Sequence, residues 1–434
     1  MIHPVIDLDI PETVGGLVNV QTMRRIEAVL QAQRSAFYRG KLDDLDIDNV
    51  CRPEEWAKIP ILDRAQLKAM SAEEFRDDFC IGSRQDRVEY WRAGQGVPHL
   101  YPRTRKDIVY AKIGCKRALV LAGFTEDDVA LMSMPLGMEP WGQLMARSGS
   151  EIGIGMLWAG GGDTLPPEAQ LEMLREVGPS AWIGAADHGI GLGNLARSEG
   201  MDLPGASIGK MLCSGAPLSD VKRRKLGALC GAELRDCFGL AEVMTLGCED
   251  AECYGFRFWS DYCYPEVLDK STLEPVGEGE TGVLVVTPLV TNNATPFLRW
   301  NTGEVVTMRS MKRRRSPFDV FPIIKHVHRA GGRLEVRGVS IGIGDLEDVL
   351  WGAPEVADFR CEVVSEGEGD ELDLHLEVHP GAERVVIEKR VAELVYRAVG
   401  LQPRVKAAGR GEIARAFGRD LRLERFRDMG GGKN

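Results

Sequence analysis

Between residues 129 and 217 the chain alternates short apolar runs with stretches of helical period, and few folds accommodate that alternation. The runs are Val129-Ala130-Leu131-Met132-Ser133-Met134-Pro135, Ile152 to Leu157, Ser180 to Gly184 and Ile208 to Leu212, separated by segments such as Pro167 to Val177. Short buried strands alternating with helices point to an α/β fold with a parallel sheet covered on both faces. In such a sheet a ligand sits beyond the carboxyl ends of the strands. Ser214-Gly215-Ala216-Pro217, just after the fourth run, and Phe238-Gly239 would lie there.

The flanking segments read differently. Apolar spacing predicts helices over 22–37 and 106–126, and a further helix entered from Leu136 to Gln143, carrying Met138, Trp141 and Gly142. After Glu242, strands are expected at Glu266 to Asp269, Gly282 to Thr287 and Phe297 to Trp300, a barrel-like section closing the large domain. From Arg329 onward Leu334 to Val339, Phe359 to Val364 and Leu372 to Val378 alternate as strands, while Asp345 to Leu350 and Ala382 to Ala398 read as helices. A chain of 434 residues exceeds one core. The expected division is a large domain over 1–329 and a small, mobile α+β lid over 330–434, joined at Gly331-Gly332, where two glycines absorb rotation at low steric cost.

A net charge of −11 argues against a general nucleic-acid partner, which needs clustered cations over a face. Two local exceptions stand out: Arg309 with Lys312, Arg313, Arg314 and Arg315, and residues 401–434, with nine Lys/Arg against four Asp/Glu. Both read either as solvated surface or as cations meeting phosphates. No run of about 18 apolar residues occurs, so no membrane partner is expected. Without a basic and apolar leader after Met1, a cytoplasmic location is expected, with the ten cysteines as reduced thiols. Cys248, Cys253 and Cys263 are spaced so that they could share a zinc ion with one more donor, or simply pack as small hydrophobes.

The chemistry concentrates in Asp236-Cys237-Phe238-Gly239-Leu240-Ala241-Glu242, which places an aromatic, a glycine and a carboxylate within five positions. Its company is Ser214 to Pro217 upstream, then Arg299-Trp300-Asn301-Thr302-Gly303-Glu304 and Arg329 to Gly338 downstream. In this order the motifs resemble those of the adenylate-forming enzymes, and most closely the phenylacetate-CoA ligase branch, whose core motif reads tyrosine-glycine, two residues, glutamate. The resemblance spans residues 20–427. Where the family carries a hydroxyl-rich phosphate loop ending in Lys-Pro, this chain has Trp91-Arg92-Ala93-Gly94-Gln95-Gly96-Val97-Pro98, without the hydroxyls or the lysine. Glu304 replaces the aspartate of Thr-Gly-Asp. Near the C-terminus, Ile413-Ala414-Arg415-Ala416-Phe417-Gly418-Arg419 puts Arg419 where the family has a lysine that bridges substrate carboxylate and α-phosphate. Arg keeps the charge but not the shape.

The resemblance implies an AMP-forming acid-thiol ligase that activates a carboxylic acid with ATP and Mg²⁺, turns its small domain, and passes the acyl group to CoA. Gly94, Gln95, Gly96, Ser214, Gly215, Ala216, Pro217, Asp236, Cys237, Phe238, Gly239, Glu304 and Arg329 would bind nucleotide. Glu242 would hold Mg²⁺ and Arg419 would stabilise charge at the α-phosphorus. Trp141, Gly215 and Met244 would line the acyl pocket; Trp141, Trp158 and Trp182 hint at an aromatic acid. The alternatives are acyl transfer to a carrier protein, or a diverged protein that binds nucleotide or acyl-CoA without adenylating. A homodimer is compatible with either.

Overall fold

The computed structural model describes every residue except 1–7, 93–98, 163, 204, 206, 216–217, 253–254, 312–314, 330–332, 367–368, 380, 382, 418–424 and 430–434. It divides into two compact units. The first comprises Met1–Asp127, Leu136–Gly155 and Arg235–Ala330; the second comprises Asp128–Pro135, Met156–Leu234 and Gly331–Asn434.

In the first unit the helix Val14–Ala32 begins eight residues before its expected start and stops short of Phe37. Thr13 caps it, accepting from the Gly16 N–H at 2.9 Å, and two early glycines hide its periodicity. The helix Arg105–Leu121 opens on a capping box between Thr104 and Asp107, and Pro140–Glu151 follows as expected. The strands form an antiparallel run in the order Cys263–Leu268, Thr281–Pro288, Trp300–Arg309, Ile323–Arg329, Phe256–Phe258, Met244–Glu249 and Glu233–Leu240. The strand expected at 297–300 instead begins at Trp300 and runs on for ten residues. Arg299 sets that start. Its φ is 42°, and its guanidinium spans the Glu266 carboxylate (3.0 and 3.2 Å) and the carbonyls of Ala57 and Ile59. One buried cation thereby ties the Ile59-Pro60 segment to the sheet. Arg117 does the same elsewhere, meeting both Asp261 oxygens at 2.9 Å with both side chains buried.

The second unit holds the parallel strands read first, Lys210–Ser214, Ala181–Gly184, Val129–Ser133 and Gly155–Trp158 in that order, with helices Pro167–Val177, Ala186–Ser198 and Asp220–Cys230. The C-terminal region adds a four-stranded sheet ordered Arg404–Ala407, Gly369–Val378, Val356–Glu366 and Phe426–Asp428, with helices Ile343–Leu350 and Arg384–Val399. The single strand expected at 334–339 is a hairpin, Arg333–Val336 against Val339–Gly342. Arg337 and Gly338 turn it with φ of 51° and 76°, the left-handed pair a tight hairpin requires. Leu195, Val221, Leu226, Leu350, Phe359 and Val391 share one apolar core across this unit. Charges are buried with it. Asp187 meets Lys222 at 2.9 Å and Arg425 at 3.0 Å, Lys222 meets Glu347 at 2.9 Å, and Arg425 also pairs with Asp358. Burial pushes the Glu347 carboxyl up to about 7 against the pull of Lys222.

Candidate active site

The segment 236–242 is the end of one strand and the start of a turn. Glu233–Leu240 pairs antiparallel with Met244–Glu249, so the chain reverses over residues 241–243. A bulge lies between Phe238, opposite Gly247, and Gly239, opposite Thr245. Bulges raise the local twist and re-aim side chains, which is why they recur beside active sites. The turn is held from below by Arg103, fully buried, which donates to the carbonyls of Ala241 and Glu242 at 2.8 Å each and to Thr291 and Thr295. Asp236 is buried, and its N–H donates to Glu249 Oε2 at 2.9 Å. The Cys237 thiol faces that of Cys248; this contact, with burial, pushes it well above the ordinary thiol range. Cys237 is thus packing beside the site and not a thiolate. Glu242 is 3% exposed at the turn.

The second motif reaches the same neighbourhood. Along Trp300–Arg309 the ladder skips between Val283 and Val285, so Thr302-Gly303-Glu304 bulges out of register. Gly303 has φ 74°, the Thr302 hydroxyl donates to Leu284 O and accepts the Glu304 N–H at 3.0 Å, and the Glu304 side chain leaves the strand in a fixed direction. It meets His326, whose Nε2 is 2.5 Å from Glu304 Oε2. The His326 ring lies 6.4 Å from the Phe238 ring, which in turn packs 5.5 Å from Phe256. His326 therefore links an aromatic ring to a buried carboxylate. The backbone of Arg329 pairs opposite Glu304 on the next strand.

No family model matches the chain. Among curated relatives, a phenylacetate-coenzyme A ligase of Thermus thermophilus is 26% identical over 405 residues, covering 89% of this chain and 87% of the relative. A phenylacetate-coenzyme A ligase of Escherichia coli is 25% identical over 448 residues, covering 96% and 97%. The crystal structure of a 2-hydroxyisobutyryl-CoA ligase in the postadenylation state with R3-HIB-AMP superposes with a TM-score of 0.80 at 17% identity, covering 96% of this chain and 92% of that one. Along nearly its whole length the chain is similar to phenylacetate-CoA ligases, and it has the fold of the 2-hydroxyisobutyryl-CoA ligase.

The remaining candidates fall as follows. Trp141 lies directly against Gly239: a Cβ there would sit 2.1 Å from two atoms of the indole ring and 2.7 Å from Met244 O. Met244 is buried, with φ 81°. Ser214, also buried, ends its parallel strand in the second unit, and Gly215 follows with φ 89° and Met134 Cε 3.9 Å from where its Cβ would be. Trp182 is core. It is 1% exposed, its indole covers Gly184 and Gly189, and its Nε1 donates to Ser133 Oγ at 3.0 Å. Trp158 is 45% exposed on the surface. Neither behaves as the wall of an aromatic pocket.

Gly94, Gln95, Gly96, Ala216, Pro217, Cys253, Gly331, Gly332 and Arg419 lie outside the described residues. Four of the described cations of 401–434 are paired with carboxylates. Arg404 and Lys406 both pair with Asp373, Arg415 pairs with Glu168, and Arg425 is buried on Asp187 and Asp358. Among the described residues no group of three His, Cys, Asp or Glu side chains could hold a metal ion, and no helix is long and apolar enough to cross a membrane. A cavity of about 360 Å³, lined by Gln31, Arg34, Asp86, Thr104, Arg105 and Asn293 among others, shares no residue with the motifs. The residue that sequence reading missed is His326. Its only signal was a histidine three positions before Arg329, on a strand whose partner carries Glu304.

Proposed function

We propose that the protein activates a carboxylic acid with ATP and transfers the acyl group to CoA. The observation that carries this reading is the grouping of Phe238, His326 and Glu304 beside the 241–243 turn that bears Glu242. In the first half-reaction a carboxylate oxygen attacks the α-phosphorus and pyrophosphate leaves; in the second the CoA sulfur attacks the acyl carbon and AMP leaves. No general base is needed for the first, since a carboxylate is ionised at neutral pH. Phe238 stacks on the adenine, Asp236 accepts from its amino group and Glu304 accepts from ribose hydroxyls. Arg329 and Gly94, Gln95 and Gly96 serve the phosphates, and Ser214, Gly215, Ala216 and Pro217 bind nucleotide as well. Arg419 stabilises the charge that develops at the α-phosphorus.

Mg²⁺ favours one or two carboxylates together with substrate phosphates, so Glu242 would hold the ion with ATP bound, and the ion would supply neutralisation of phosphate charge there. Residues 330–434 act as the lid, turning about Gly331-Gly332 between the half-reactions. Zinc at Cys248, Cys253 and Cys263 is supported by their spacing alone. The names of the relatives favour an aromatic acid, with Trp141, Gly215 and Met244 facing it. ATP and CoA as substrates favour a cytoplasmic site of action.

ATP–pyrophosphate exchange across a panel of aryl and arylacetic acids measures the first step, and a thioester assay offering CoA and a carrier-protein pantetheine arm decides the acceptor. The replacement of the family lysine by Arg419 favours one second reading, a nucleotide or acyl-CoA binder that no longer adenylates. Nucleotide binding without exchange for any acid would establish it.

A further inference from the structure

His326 joins the aromatic of one motif to the carboxylate of the other. It reaches Glu304 because of a local irregularity. In the ladder between Trp300–Arg309 and Ile323–Arg329, Glu304 faces Arg329 and Val305 faces His328, but Val306 faces His326, so Val327 is bulged out; it is 50% exposed. Without the bulge His326 would pair one residue further from Glu304. The shift aims its Nε2 at Glu304 Oε2, 2.5 Å away, and leaves its ring 6.4 Å from Phe238. A glutamate in this place has one more rotatable bond than an aspartate and loses more freedom when a ligand orders it. A partner that fixes the carboxylate beforehand removes that loss from the binding step.

We propose that His326 is a positioning residue for nucleotide recognition. It donates to Glu304 and holds that carboxylate beside Phe238 for the hydroxyls of a ribose, so that the site selects ribonucleotides over deoxyribonucleotides. This rests on the nucleotide reading above and deepens it. The test is calorimetric binding of ATP, 2′-deoxy-ATP and 3′-deoxy-ATP to the wild type, His326→Ala, His326→Leu, His326→Gln and Glu304→Gln. A hydrogen bond to a charged group supports a preference of about tenfold or more for ATP in the wild type. His326→Ala and His326→Leu lose about tenfold in ATP affinity while the deoxy analogues hold, so the ratio collapses towards one. His326→Gln, whose amide can still donate, restores most of it, and Glu304→Gln removes the preference whatever stands at 326. His326→Leu keeps the packing volume if His326→Ala unfolds. A full ribose preference in folded His326→Leu overturns the role of His326 and leaves the nucleotide reading intact. No binding of any nucleotide to the wild type overturns both.

Discussion

Gly239→Ala is the sharpest perturbation that the site offers, because its cost can be worked from two distances. The added Cβ would meet two atoms of the Trp141 ring at 2.1 Å and the Met244 carbonyl oxygen at 2.7 Å. Ordinary carbon contacts lie at about 3.5–4.0 Å. The indole must therefore retreat by about 1.5 Å, and the backbone of Met244, already at φ 81°, must give as well. Alanine gains roughly 0.4–1 kcal/mol by restricting the unfolded chain. Overpacking costs about 1–3 kcal/mol, and a backbone contact cannot be relieved by a rotamer, so the clash wins. The expected net loss is about 1–2 kcal/mol, read as a lower urea midpoint with unchanged slope. Trp141→Ala in the same chain removes the first clash and leaves the second. Gly239→Ala should then cost at least about 1 kcal/mol less in that background than in the wild type. Residues in contact show couplings of about 0.5–3 kcal/mol. A coupling near zero, or a Gly239→Ala protein as stable as wild type, would refute the packing of Trp141 on the motif. In the exchange assay Trp141→Ala should raise kcat/KM for acids bulkier than phenylacetate.

Arg419→Ala should slow pyrophosphate exchange by about a hundred- to a thousand-fold while thioester formation from a pre-made acyl-adenylate is nearly unchanged; equal loss in both would remove Arg419 from the first step. Asp261→Ala leaves the Arg117 guanidinium buried without its partner and should cost about 3–5 kcal/mol in urea denaturation. For Glu347, burial raises the folded-state value from the ordinary 4.5 to about 7, so its contribution to stability is complete below about 4.5 and is lost as pH rises through 7. Glu347→Gln stays neutral, and its urea midpoint should gain on the wild type as pH goes from 5 to 8; a constant difference would contradict the buried carboxyl. Protein purified without added zinc should carry close to one equivalent if Cys248, Cys253 and Cys263 share an ion, and well under one returns them to packing.

The order of strands and helices in the parallel half, the helix Pro167–Val177 and the motifs themselves were legible in the chain, because a buried strand or an amphipathic helix writes its period into consecutive residues. Element ends were less so. The Val14–Ala32 helix begins with glycines, and the 333–342 hairpin hides its turn in an Arg-Gly pair. What only the tertiary structure decided are matters of register and long-range pairing. Trp182 is core and Trp158 surface because the strand of the first lies inside the sheet and that of the second at its edge. That Arg425 is a buried partner of Asp187 and not a phosphate ligand depends on a contact 238 residues distant in sequence. His326 belongs beside Glu304 because one bulge at Val327 shifts a ladder by a residue, and a one-residue shift in a strand changes every neighbour. No local pattern encodes such a pairing, since its energy comes from groups that meet only when the sheet has formed.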